Sequence, residues 1–248
     1  MTLAITIQAR LGSTRFPAKV TKGLAGRPML EQVVARAEQI WPGTPVWVLV
    51  PWGQAGVWPG LRTWEGDEHP LWRYHHFVSD HPEIQTLMRL TGDCPLLDPG
   101  VARLVLQRYY VGERPRGVFT APTMDGLDVE VFDAAEILRV PGTEPNREHV
   151  TPWLRRQTGS IEVSYTDRAL DWSVDEPVDL DWAEAVYQAC PLCAQAVPRH
   201  TNAGGSIGGG DRHLVLDLHH TADGGLAECR AADLLWSRAT QHGTGGQR

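Results

Sequence analysis

The chain has 248 residues, which fits one large α/β domain or one domain with a small appendage. Hydrophobic residues make up 42% and charged residues 21%, the balance of a globular protein, and the net charge of −7 excludes a general nucleic-acid binder, whose footprint is a basic excess. There is no apolar run of about 18 residues and no charged-then-apolar leader, so the expectation is a cytoplasmic protein with no membrane partner.

Leu3, Ile5 and Ile7 lie in an uncharged, β-branched stretch that predicts a buried first strand. It runs into Gln8-Ala9-Arg10-Leu11-Gly12-Ser13-Thr14-Arg15-Phe16-Pro17-Ala18-Lys19, a turn-forming segment with three cations. Gly12 lets backbone approach a ligand, successive N–H groups in such a turn form an anion-binding concavity, and Arg10, Arg15 and Lys19 suit phosphate oxygens. The pattern is neither a Walker loop nor a dinucleotide fingerprint, and a surface loop of solvated cations remains the alternative.

Residues 29–41 predict an amphipathic helix stopped by Pro42-Gly43, and 45–50 a second strand, so residues 1–50 read as a β-loop-α-β unit with the cationic loop at a strand's carboxyl end. Residues 51–70 read as irregular, 71–77 as helical and 86–90 as a third strand ending in Thr91-Gly92-Asp93-Cys94-Pro95. Asp98 has a structural role as cap of a helix over 99–110, whereas Asp93 has none, which makes Asp93 the better metal-ligand candidate. Strands are expected at 117–121, 128–132, 160–165 and 170–175, and a capping role for Asp133. Residues 146–157 read as a helix interrupted at Pro152, and a helix from Glu176-Pro177 closes at Cys190. On one strand, Asp128 and Glu130 alternate to one face. The ten tryptophans are expected in core and pocket walls.

Cys94, Cys190, Cys193 and Cys229 are expected to be free thiols, and the single Cys190-Pro-Leu-Cys193 pair is only a partial zinc pattern. After Pro198 the Gly-rich segment 203–210 predicts a linker. The expected division is therefore 1–198 for the main domain and 199–248 for linker, accessory βα or dimerisation element, and disordered end. A homodimer is the assembly such a tail would serve.

The ordered set IxIQARxGSTRxPxK, RLTGDCPLLDP, DGLDVEVF and REHVTPxxRR resembles the cytidylyltransferase family that includes spore-coat polysaccharide (SpsF-type) enzymes, and more distantly the synthetases of CMP-sugars. The resemblance spans residues 1–188. It implies an α/β, Rossmann-like nucleotide-diphospho-sugar transferase fold (GT-A-like), with a mixed, mainly parallel sheet flanked by helices. By position it implies that Ala9, Arg10, Gly12, Ser13, Arg15 and Lys19 hold CTP, with Thr91 and Gly92 beside the nucleotide. Asp93 and Asp175 would be magnesium ligands, and Asp128, Glu130, Arg147 and His149 would contact the acceptor. Arg147 pairing with Glu148 within a helix is the competing reading. Ala18 stands where relatives carry Gly, and the segment 52–58 lacks the acidic helix start that relatives have there.

The reaction implied is transfer of CMP from CTP to a sugar acid, sugar phosphate or phosphonate, with Mg²⁺ and pyrophosphate release. Use of another nucleotide or a sugar 1-phosphate, and a non-catalytic nucleotide-binding or interaction role, are the rival readings. Retention of Arg15, Lys19, Asp93 and Asp175 together speaks against the last.

Overall fold

The computed structural model describes residues 2–111, 115–145, 147–164 and 170–189. In chain order the elements are β1 (Leu3–Gln8), β2 (Gly23–Leu24), β3 (Arg27–Pro28), α1 (Met29–Ala37), β4 (Val46–Pro51), β5 (Thr63–Gly66), α2 (Pro70–Asp80) and β6 (Thr86–Thr91). They continue as α3 (Pro99–Tyr110), β7 (Gly117–Thr120), β8 (Met124–Asp125), β9 (Glu130–Asp133), α4 (Ala134–Ile137), α5 (Pro152–Arg155), β10 (Ser160–Val163), β11 (Leu170–Asp171) and α6 (Pro177–Ala189).

Seven strands form one sheet in the order β10-β7-β9-β6-β1-β4-β5, mixed and mostly parallel, with only β9 antiparallel to its neighbours. The apolar strands are buried on both faces because a helical layer covers each side. Their period of two sorts side chains cleanly. Ile5, Ile7, Val48, Val50, Met88, Leu90, Val118 and Val131 join one core with α1, α3 and α6. Ala4, Leu49, Leu87, Phe119 and Phe132 point the other way, into a second core with α2, α4 and α5. The buried Thr6 stays polar because its hydroxyl donates to Met88 O and accepts from Tyr74.

The chain runs outward from β1 through β4 to β5, then returns to lay β6 on the other side of β1. This reversal opens a crevice beyond the carboxyl ends of β1 and β6, the place where open α/β sheets bind ligands. Gly92 permits the approach: its N–H donates to Gln8 O, and an added Cβ would crowd Gln8 O and Ala9 Cβ at 3.1 and 3.2 Å. Arg73, fully buried, staples the same edge by donating to the carbonyls of Ala9, Leu49, Asp67 and Glu68.

Several expectations need correcting. Residues 51–70 are not wholly irregular, because Thr63–Gly66 adds an edge strand whose half-buried pattern lacks a long apolar run. The helix expected over 146–157 is reduced to α5; Pro152 starts it at the first turn, where a missing N–H costs nothing, so Arg147, Glu148 and His149 sit in the preceding loop. β9 begins at Glu130, which leaves Asp128 before the strand, bonded through Oδ2 to the Gly126 N–H. The 170–175 strand is two residues long. Asp98 and Asp133 do cap α3 and α4. Cys190, Cys193, Cys229 and the division at 198/199 lie outside the described residues. Among those residues no helix is long and apolar enough to cross a membrane.

Gly126 carries a positive φ of 85°, and a Cβ there would stand 2.3 Å from the Trp172 carbonyl carbon and 2.6 Å from Ser173 N. Both obstacles are backbone directly after β11, where the Trp172 N–H donates to Asp125 O, so neither can swing aside. The variant Gly126→Ala is expected to lose at least about 2 kcal/mol of stability, measured by urea denaturation.

Candidate active site

The loop after β1 is held in shape by its own backbone and by one distant side chain. Leu11 O accepts from Ser13 N and Ala18 N, and Leu11 N donates to Gln54 Oε1 at 2.9 Å. Several amides expected to face a ligand are thus engaged internally, so the loop's pull on anions comes mainly from its cations. Gln54 lies in the segment that departs from the resemblance, where it braces the loop. At the loop's end Ala18 is left-handed, at φ 54° and ψ 30°, and turns the chain into a short 3₁₀ segment that begins with Lys19.

Lys19 is the hub. Its Nζ donates to Asp93 Oδ2 at 2.8 Å and to Asp175 Oδ1 at 2.7 Å, while Arg15 meets Asp175 Oδ2 at 2.8 Å. Burial opposes the Lys19 charge, but the two carboxylates outweigh it and hold the amine above its usual range. Burial would likewise raise Asp93, and Lys19 overrides it to hold the acid below the ordinary range. Asp93 follows β6 directly. Asp175 is brought beside it by the Val174 N–H donating to Asp93 O at 2.8 Å, and Asp179 Oδ2 caps α6 by accepting from Asp175 N and Glu176 N.

A second charged centre forms the cleft floor. Glu130 is buried between Arg89 and Arg155 and also accepts from the Thr151 hydroxyl. Burial would raise its acid, but the two guanidinium groups hold it below the ordinary range. Gln8 Oε1 receives Arg89 from the other side, and Arg155 also donates to Thr120 O while its guanidinium lies 4.7 Å from the Phe119 ring centre. With both oxygens committed, Glu130 acts as a scaffold for the arginines and is not a free acceptor ligand. Removing one partner from such a buried set typically costs about 3–5 kcal/mol.

Asp125 and Asp128 are different. Burial, then Asp125 and Glu130, push Asp128 up to about 6; burial, then Asp171, Asp175 and Asp93, raise Asp125. Cys94 is buried, 2.8 Å from the Thr91 hydroxyl, and burial pushes its thiol well up, so it is a neutral packing group as its position suggests.

The cleft encloses about 850 Å³. Of the residues singled out by sequence, Ala9, Arg10, Ser13, Arg15, Lys19, Thr91, Gly92, Asp93, Asp128, Glu130, His149 and Asp175 line it. Gly12 and Arg147 do not. Arg147 contributes instead its carbonyl, to Leu71 N, and it is Glu148 that reaches the loop, pairing with Arg10 at 3.0 Å. Arg89, Arg155, Gln8 and Thr151 went unassigned. An arginine inside an otherwise uncharged buried strand, Thr86–Thr91, was the signal available for Arg89. Among the described residues no tryptophan lines the cleft: Trp58 and Trp172 are core, and Trp52 is 68% exposed.

The cytidylyltransferase family profile matches residues 4–48. The spore coat polysaccharide biosynthesis protein SpsF of Bacillus subtilis (strain 168) is 26% identical over 205 residues, 73% of this chain and 85% of that protein. A cytidylyltransferase structure from Leptospira borgpetersenii superposes with a TM-score of 0.67 at 22% identity, over 77% of this chain and 88% of the other. A CMP:2-keto-3-deoxy-manno-octonic acid synthetase complexed with CTP superposes at 0.60 and 18% identity, over 76% and 99%. These likenesses show that the chain shares the Rossmann-like fold of those structures. By sequence the chain is similar to the cytidylyltransferase family, through residues 4–48 in the family profile and through most of its length in SpsF.

Two measurements probe the site. Left-handed backbone costs an alanine about 1 kcal/mol more than a glycine, so Ala18→Gly is expected to gain roughly that in urea denaturation. For Asp128, the folded protein holds a proton between about pH 4 and 6 that the unfolded chain releases, so this group's contribution to stability falls as pH rises through that window. Asp128→Asn is expected to melt higher than the parent at pH 7, with the gap closing toward pH 4.

Proposed function

We propose that the chain transfers CMP from CTP to an acceptor that carries both an anionic group and hydroxyls, releasing pyrophosphate. The observation that carries this reading is the convergence of Arg15 and Lys19 with Asp93 and Asp175 at the sheet's switch point. Base choice is supported by the likeness of residues 4–48 to the cytidylyltransferase family, and the synthetase of similar fold was captured with CTP.

In this reading the acceptor oxygen attacks the α-phosphorus, the bond from that phosphorus to the α–β bridging oxygen breaks, and pyrophosphate leaves with the electron pair. Negative charge grows on the non-bridging and leaving oxygens, so positioning and charge stabilisation are the work of the site. Arg15 and Lys19 meet the phosphate oxygens. Arg10, whose present partner Glu148 is exposed, is within the same loop and turns to the triphosphate. His149 and Arg155, which also line the cleft, take the acceptor's anionic group. Asp128 receives its hydroxyls.

The donor set also fits magnesium. Asp93 and Asp175 turn one oxygen each toward a single cationic nitrogen, and both are the hard oxygen ligands this ion prefers. Among the described residues no group of three His, Cys, Asp or Glu side chains converges, so phosphate and water oxygens would complete the shell, as is usual for magnesium. Bound there, the ion would neutralise charge on the α-phosphate and the leaving group.

The test is a pyrophosphate-release assay with four nucleoside triphosphates, Mg²⁺ and a panel of anionic, hydroxylated acceptors. CTP is expected to be preferred, and Asp93→Ala to lose at least about 100-fold in rate while keeping the parent's circular dichroism. Turnover near the parent's in that variant, or no pyrophosphate from any triphosphate, would sink the reading.

A further inference from the structure

The position of the Lys19 ammonium has a consequence for how the cleft is filled. Nζ stands between Asp93 Oδ2 and Asp175 Oδ1, with only 10% of the side chain exposed. A divalent cation contacts carboxylate oxygens at about 2.0–2.5 Å. Those two oxygens already converge on one nitrogen, so a second cation cannot reach both while the ammonium stays. Arg15 occupies the remaining oxygen of Asp175. Two acids and two cations therefore balance without any added charge.

We infer that the Lys19 ammonium is a placeholder in the seat formed by Asp93 and Asp175, and that it yields the seat to a divalent cation only when a triphosphate is present to receive it. The inference rests on the metal role proposed above for these carboxylates.

Charge balance sets the order. A divalent cation arriving alone would displace a nearly buried ammonium from both of its hydrogen-bonded carboxylates, and a buried charge that loses its partners is costly. It would also crowd Lys19, Arg15 and the metal around Asp93 and Asp175, with Asp125 and Asp128 the other acids lining the cleft. A nucleotide reverses both effects, because its phosphate oxygens accept Lys19 and Arg15 while sharing the metal with the two acids. The movement needed is small. The backbone at Lys19 is fixed by its N–H to Phe16 O and by Lys22 N–H to its own carbonyl, while the four-carbon stem lets Nζ swing without disturbing the turn. The placeholder also offsets the mutual repulsion of two neighbouring carboxylates.

The experiment uses Mn²⁺ as the probe, read from the electron paramagnetic resonance signal of the free ion, with the full chain and with or without non-hydrolysable α,β-methylene CTP. The parent is expected to bind Mn²⁺ at least about tenfold more tightly with the analogue than without it. Lys19→Met is expected to strengthen nucleotide-free Mn²⁺ binding by at least about tenfold, and to gain more melting temperature from Mn²⁺ than the parent does. Lys19→Gln, a neutral donor of similar length, should move the same way and serves if the methionine variant does not fold. Nucleotide-free affinity unchanged or weakened in these variants overturns the exchange, as does parent affinity indifferent to the analogue. Equal Mn²⁺ binding by the parent and Asp93→Asn in the presence of the analogue would instead overturn the metal role itself.

Discussion

One ammonium shared by two carboxylates joins three stretches of chain that lie far apart in sequence. Lys19 comes from the loop after β1, Asp93 from the end of β6, and Asp175 from the approach to α6. Each is delivered by a separate local constraint. The left-handed Ala18 turns Lys19 inward, the missing Cβ of Gly92 lets β6's end close on β1, and the Val174 N–H ties the last segment to Asp93 O. Half-buried charge tolerates this only when paired, so the three positions hold one another in place.

Around that hub the cleft is divided by charge. Arg89 and Arg155 clamp Glu130 and keep the floor rigid, while Arg10, Arg15 and Lys19 rim the loop side. Asp125 and Asp128 make an acidic wall whose neighbours raise both of them. Below the rim lies Arg73, bonded to backbone carbonyls with burial pushing it down to about 10, still a cation at neutral pH. Cationic and acidic groups thus furnish different parts of one crevice.

Much of this was legible in the residues. The first strand, the cationic loop, the capping roles of Asp98 and Asp133 and the strand-end position of Asp93 follow from apolar runs, turn residues and capping chemistry, all short-range signals. The edge strand Thr63–Gly66 was missed because it has no apolar run, and the 146–157 helix was overextended because Pro152 marks a start as well as a break. Assigning Glu130 to the acceptor followed its strand pattern. What consumes it, Arg89 on a neighbouring strand and Arg155 on a helix, is far away in the chain.

The sequence by itself determined the central strands, which loop carries the cations and which family the chain resembles, because periodicity, turn chemistry and motif order are written locally. Only the tertiary structure decided that Lys19 lies between the two aspartates, that Glu130 is held by two arginines, and that Gln54 braces the loop from the segment that departs from the resemblance. Those outcomes depend on strand order. Placing β6 beside β1, with β9 antiparallel next to it, is what brings charges from distant positions within hydrogen-bonding reach.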